Sequence, residues 1–346
     1  MLLNADQRMV QEAVRAFAQE QLWPNAAAWD KSHTFPVEAH RGLAALGCYG
    51  ICVPEDLGGA GMDYVSLAVV LEEIAAGDGG TSTVISVTNC PVNAILMKHG
   101  NAAQQAEWLT PLARGDMLGA FCLTEPHVGS DASGLRTTAV RDGDHYVLTG
   151  VKQFITSGQN GDVAIVIAVT DKAAGKRGMS AFLVPTSTPG YTVARLEDKL
   201  GQHSSDTAQI LLTDCRIPET YRLGEEGDGY RIALGGLEGG RIGIAAQSIG
   251  MARSALRQGP NVLWSTHHEP PSGGVQTGRY GDPTRSSPRP DAARSRDAGC
   301  GGALFERGGD GQAVCQRNGR TGLLPGHPSA WRLWLPCRLP GGADLP

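Results

Sequence analysis

From residue 4 onward apolar positions recur every three or four residues, which predicts helices as far as about residue 118. Asn4 or Asp6 can cap the first helix, whose apolar face carries Val10, Val14 and Phe17, and Pro24 is expected to close it. YVSLAVVLEEIAA reads as another helix stopped by GDGG, and ISVTNCPVNAILMKHG and AAQQAEWLTPLARG continue the spacing. Between 119 and 228 the period shortens. HYVLTGVKQFIT, DVAIVIAVT, MSAFLVPT, YTVARL and AQILLTD are short, rich in β-branched residues and divided by Gly, Asp and Pro, the pattern of an antiparallel barrel or sandwich. Helical spacing returns in GYRIALGGLEGGRIGIAAQSIGMARSAL, 229–256. The pattern predicts an α+β chain: an N-terminal helical domain (1–118), a middle antiparallel β-domain (119–228), a further helix (229–256), and a tail (257–346) with neither period.

Length and composition narrow this picture. A chain of 346 residues can hold two or three domains, and a net charge of −5 argues against a nucleic-acid-binding protein. The start, MLLNADQRMVQEAV, lacks a basic stretch followed by an apolar one, so no signal peptide is expected, and the cytoplasm is the expected compartment. No run of about 18 apolar residues predicts a membrane span. Eight cysteines are scattered without a C-x-x-C pair, which reads as free thiols in a reducing compartment rather than as zinc ligands or disulfides; no metal is expected.

Chemistry concentrates in two loops of the middle region. FCLTEPHVGSDASGLRTTAV, 121–140, ends a strand in a polar turn, where Thr124, Ser130 and the backbone N–H groups around Gly129 can hold a phosphate or a polar ring edge. The plainer reading is a surface turn in which Asp131 caps its own backbone. KQFITSGQNG, 152–161, carries Phe154, Ile155 and Thr156, a triplet able to cover one face of a flat ring and bond its edge, or to form an ordinary alternating strand.

Together with KLGQHSSDTAQILLTDCRIPETYRLGEEGDGY, 199–230, these stretches resemble the acyl-CoA dehydrogenase family, near its short-chain and bacterial members. The T/S-E-P-x-x-G-S-D core stands intact as Thr124, Glu125, Pro126, Gly129, Ser130 and Asp131, and the resemblance covers residues 1 to about 256 in order. It implies a helical domain, a β-domain and a C-terminal helical bundle, of which 229–256 is the first helix. It implies FAD, with Phe121, Cys122, Leu123, Thr124, Gly129 and Ser130 along the isoalloxazine, Thr124 near the pyrimidine edge, Phe154, Ile155 and Thr156 on the other side, and the Thr156 hydroxyl near N5. Ser130, Glu238 and Arg241 match positions that meet the acyl-CoA. The implied reaction is α,β-dehydrogenation of an acyl-CoA thioester to the 2-enoyl-CoA, with an electron-transfer flavoprotein as acceptor and a homotetramer or homodimer as assembly.

The resemblance breaks in the last quarter. The family's Y-E-G-T loop, which carries its catalytic Glu, is absent, and the alternative base position on the first bundle helix is Gly240. The R-x-x-F-G and Q-x-x-G-G segments that grip FAD from a neighbouring subunit are absent as well. After Leu256 the chain has no Lys, Ile or Met, and Arg, Gly and Pro dominate. HHEPPSGGVQTGRYGD, 267–282, can be encoded so that the next frame spells I-M-N-H-Q-A-V-A-F-K-L-A-D-M-A, with helical spacing like the family's second bundle helix. HPSAWRLWLPCRLPGGADLP, read the same way, permits I-Q-A-H-G-G-Y-G-Y-L-A-D-F-P-V-E-R-I-Y. Two matches in order point to a frameshift between about residues 254 and 264, either in the gene or in its sequence. A basic arm built on RSSPRPDAARSR and a Pro/Gly linker are the competing readings of the tail. The expectation is therefore a truncated, impaired or inactive chain with a disordered tail and an apolar stripe (Ile244, Ile249, Met251) lacking partners. The alternative is a non-catalytic remnant that keeps partial flavin or acyl-CoA binding.

Overall fold

The computed structural model describes residues 3–258 and the strand residues 304–307, 313–317 and 320–322. Helix α1, Ala5–Phe17, starts with a reciprocal cap: Asn4 Oδ1 accepts from Gln7 N (2.8 Å), and Gln7 Oε1 accepts from Asn4 N (3.1 Å). Pro24 does not close it, contrary to the expectation above. Ala18–Leu22 form a wider π-helical turn, and Pro24 falls in the first turn of α2, Trp23–Ser32, where a missing N–H costs little. Helix α3, Val37–Ala45, leads to α4, Tyr64–Gly77, and α5, Gly79–Val87. Asp78 ends α4 and caps α5, accepting from Thr81 N at 2.7 Å, so the GDGG signal marks both a stop and a start. The backbone kinks at Cys90 before α6, Ala94–His99; α7, Ala102–Gln104, and α8, Thr110–Arg114, follow.

The middle of the chain forms one eight-stranded sheet from β1 (Gly119–Cys122), β2 (Thr138–Asp142), β3 (His145–Thr156), β4 (Val163–Val169), β5 (Met179–Pro185), β6 (Tyr191–Leu196), β7 (Thr207–Pro218) and β8 (Arg222–Leu223). Its order is β6-β7-β3-β2-β4-β5-β8, with β1 beside β4. Most pairings are antiparallel, as the strand pattern predicts. The pairs β1–β4 and β2–β4 are parallel, because β1 and β2 join β4 through connections long enough to cross over. The continuous apolar run of β4 follows from burial on both faces. Ile165 and Ile167 pack with the helices around Val92, Ile95 and Trp108, while Ala164, Val166 and Ala168 share a second core with Tyr146, Leu148 and Phe182.

Helix α9, Gly229–Gln258, lies along α4, and its first turns pack on the sheet. Past the buried Ile232, the face it lays against its neighbours is built mainly from small residues. A Cβ on Gly236 would lie 2.7 Å from Ile95, one on Gly243 2.6 Å from Ser86 Oγ, and one on Gly250 2.2 Å from the Glu72 carbonyl oxygen. Ile242, Ile244 and Ile249 point outward instead, the last two 49% and 56% exposed. Met251 is exposed as well, at 39%, although its sulfur lies beside Gly79. Near its end Arg253 bonds Glu73, a buried carboxylate of α4 that Arg15 of α1 also holds at 2.6 Å. Residues 1–270 make one compact unit. The second unit, 271–346, contains β9 (Leu304–Arg307), β10 (Ala313–Arg317) and β11 (Arg320–Gly322), paired antiparallel in the order β11-β10-β9. The expectation of a disordered tail otherwise falls outside the described residues.

Candidate functional site

The two loops singled out above are joined by direct bonds. Gln153 N donates to the Thr124 carbonyl at 2.9 Å, and Lys152 Nζ donates to the Leu123 carbonyl at 3.1 Å and to Glu125 Oε1 at 2.9 Å. Glu125 also accepts from the N–H groups of Arg136 (2.8 Å) and Thr137 (2.9 Å). Lys152 is wholly enclosed and Glu125 nearly so. Burial pushes the Glu125 carboxyl up, but the Lys152 ammonium and these N–H groups outweigh it and hold the group below the usual carboxylate range. Phe121 and Cys122 at the end of β1, and Leu123 and Thr124 just after it, are thus fixed to the end of β3.

Phe154 is not in an ordinary alternating strand. Its φ is +58°, a conformation rare for an aromatic residue, and the residue is 62% exposed, while Ile155 beside it is buried in the sheet core. Thr156 ends β3, and Ser157 follows with φ +57° and a buried hydroxyl that has no hydrogen-bond partner. No hydrogen bond involves the hydroxyls of Thr124, Ser130 or Thr156 among the described residues. Around Gly129 the space is open: a Cβ there would meet nothing within 4 Å. Asp131 behaves as the plain turn reading holds, accepting from Ser133 N (3.0 Å) and Ser133 Oγ (2.6 Å). An exposed aromatic face beside unpaired hydroxyls and an open glycine turn fits a flat ring with polar edges.

Glu238 and Arg241 stand three residues apart on α9, both exposed. The helix reaches the site through Ile232 and Ala233, which share a core with Leu123 and Val128, and through Leu237, which packs against it. Gly240 lies in the next turn, where a Cβ would approach only the Cys90 carbonyl, at 3.4 Å. At Gly239 a Cβ would collide with Cys90 Sγ and Tyr64 (both 2.9 Å), so α9 presses on these side chains.

The Glu125–Lys152 pair was not anticipated, although the sequence carried a signal for it. With period two, Lys152 falls on the same face as Tyr146 and Leu148, so a buried ammonium needing a carboxylate was legible. The free-thiol reading holds for the described cysteines: Cys48, Cys90, Cys122 and Cys215 are buried, and Cys52 is half-buried. Burial pushes the Cys48 and Cys122 thiols up to about 12, far from reactive. Among the described residues no helix is long and apolar enough to cross a membrane.

Comparison with known proteins gives matches to the acyl-CoA dehydrogenase N-terminal domain over residues 4–116 and to the acyl-CoA dehydrogenase middle domain over residues 120–215. The chain is 45% identical over 249 residues to the mitochondrial short-chain specific acyl-CoA dehydrogenase of Homo sapiens, an alignment covering 72% of this chain and 60% of that enzyme. It is 43% identical over 257 residues to an acyl-CoA dehydrogenase of Bacillus subtilis (strain 168), covering 74% of this chain and 68% of that protein. The structure of butyryl-CoA dehydrogenase from Megasphaera elsdenii superposes with a TM-score of 0.73 at 37% identity, covering 81% of this chain and 72% of that one.

Proposed function

Because the chain belongs to the acyl-CoA dehydrogenase family, we propose that its gene encodes a FAD-dependent enzyme that oxidises an acyl-CoA thioester to the 2-enoyl-CoA, and that the 346-residue chain keeps binding surfaces but lacks the base. The observation that carries this reading is the intact Thr124–Asp131 motif, bonded through Gln153 N to the exposed, left-handed Phe154. Phe154 would cover one face of the flavin ring, and Thr124, Ser130 and Thr156 would bond its polar edge. Ser130, Glu238 and Arg241 would hold the acyl-CoA. When bound, FAD supplies the acceptor for the hydride that leaves the β carbon.

What the chain's own residues must do is bind the thioester, donate to its oxygen and take the α proton. That proton is weakly acidic, so donors at the thioester oxygen and a desolvated carboxylate at the α carbon are both required. At the helix position where some relatives carry this carboxylate the chain has Gly240, which offers no side chain, and the sequence has no Y-E-G-T loop. The chain as translated is then a binder of FAD and acyl-CoA with little or no turnover. A homodimer or homotetramer, and an electron-transfer flavoprotein as acceptor, follow from the same family reading. The shift of reading frame after α9 is supported by the composition of the tail and by the relatives' alignments, which span 249 and 257 of the 346 residues.

The test is an anaerobic titration of the purified chain, first with FAD, followed by flavin fluorescence, and then with a short-chain acyl-CoA, followed by the flavin absorbance. Saturable FAD binding with no bleaching is expected. A chain that binds no FAD overturns the flavin reading, and bleaching by substrate overturns the loss of the base.

A further inference from the structure

Strands β3 and β7 pair in two registers. Tyr146–Leu148 and Ile155–Thr156 follow one register, whereas Gly150–Lys152 are displaced from it by one residue. Two compensating bulges cause this. One extra residue sits on β7 between Leu212 and Cys215, where Asp214 has φ +48°, and one on β3 between Lys152 and Ile155, where Phe154 has φ +58°. Inward positions on β3 are therefore Tyr146, Leu148 and Lys152, and after the bulge Ile155. Without the second bulge Phe154 would turn into the core and Ile155 out of it. Glycine is the ordinary occupant of a left-handed bulge position, and a phenylalanine stays there only if its surroundings impose it.

Two anchors flank the bulge. Behind it, Ile155 is buried among Ala208, Ile210 and their neighbours. Ahead of it, the Lys152 ammonium is fastened to Glu125 and to the Leu123 carbonyl, and Glu125 is fastened to the N–H groups of Arg136 and Thr137. Only Gln153 and Phe154 lie between. Gln153 is itself buried and bonded to Glu197 and Gln209. No room is left for β3 to slide while the ion pair holds.

We propose that the Glu125–Lys152 pair is a strut that locks the register of β3, so that Phe154 is held in the left-handed conformation with its ring outward, as a preset face for a flat cofactor ring. The cofactor part rests on the flavin reading above; the strut does not. Glu125 and Lys152 are positioning residues, acting through Phe154.

A thermal double-mutant cycle on the full chain tests the strut without cofactor. In the native background Phe154→Gly relieves the backbone strain and raises Tm by about 2–4 °C. In the Glu125→Gln/Lys152→Met background β3 can slip, Phe154 relaxes into the core, and the same substitution gives no rise or a fall. Equal shifts in the two backgrounds overturn the proposal. Should the double variant not fold, Glu125→Asp, which keeps the charge and shortens the reach, takes its place, with a diminished rise expected and an undiminished one overturning the strut. For the preset face, FAD binding followed by fluorescence quenching should weaken about tenfold or more in folded Glu125→Asp; an unchanged Kd overturns that role. If the native chain binds no FAD, the flavin reading fails, and the thermal cycle still decides the strut.

Discussion

His40 is buried, stacked on Phe35 at 4.5 Å between ring centroids and bonded through Nδ1 to Tyr49 Oη at 2.7 Å, with Nε2 lacking a partner. Burial lowers its pKa to about 4. The folded value lies below the ordinary 6.5, so the neutral ring's contribution is complete above pH 6.5 and is lost as pH falls from there towards 4. The loss amounts to about 3 kcal/mol for such a shift. Urea unfolding between pH 7 and pH 4 should show this decline, and His40→Phe should flatten it while costing about 1 kcal/mol at pH 7, because Tyr49 loses its partner. An unchanged slope would remove His40 from the account. At this scale the sequence was partly legible. The hydroxyls and the single glycine of the Thr124–Asp131 turn could be read as a ligand edge from residue type alone. The backbone of Phe154 could not, because no residue preference signals a left-handed phenylalanine. It results from two anchors that only tertiary structure brings to either side of it.

Among the elements, the strands were the most legible: β3 coincides with the stretch HYVLTGVKQFIT, since turn residues bound it on one side and its period is two. Helix α9 was less so. Its large aliphatic residues mark an apolar face, yet past Ile232 and Leu237 the face it lays on α4 is mainly the glycine and alanine one, because two helix backbones approach closely only where side chains are small. A consequence separates the two faces experimentally. Gly250→Val places a Cβ against the Glu72 carbonyl, which the α4 backbone cannot move away, so a loss of about 2–3 kcal/mol is expected in chemical denaturation. Ile249→Ser, one residue away on the exposed side, should change stability by less than about 0.5 kcal/mol and increase solubility. Equal effects of the two substitutions would mean that the outward aliphatic face is covered in solution.

For the whole molecule, the outward Ile242, Ile244 and Ile249 and the glycine at position 240 point to the same question, namely what the reading frame encodes after α9. A helix that buries its small residues on one side and carries a row of isoleucines on the other is built to be covered on both, as the first member of a bundle is. Sequencing the coding DNA across codons 250–265 decides whether the frame shift is present. If one base restores the frame, the corrected chain should purify as a yellow dimer or tetramer, and a short-chain acyl-CoA should bleach its flavin anaerobically. The 346-residue chain should then bind FAD more weakly and resist bleaching. If the DNA confirms the present frame, Gly240→Glu becomes the informative variant. The helix admits a Cβ there with one backbone contact at 3.4 Å, so the substitution can supply a carboxylate without displacing α9. Bleaching that depends on this residue would show that the flavin and thioester surfaces of residues 121–156 and α9 remain aligned and that only the proton acceptor was missing. Failure to bleach while FAD stays bound would show that alignment itself requires further bundle helices packed on α9.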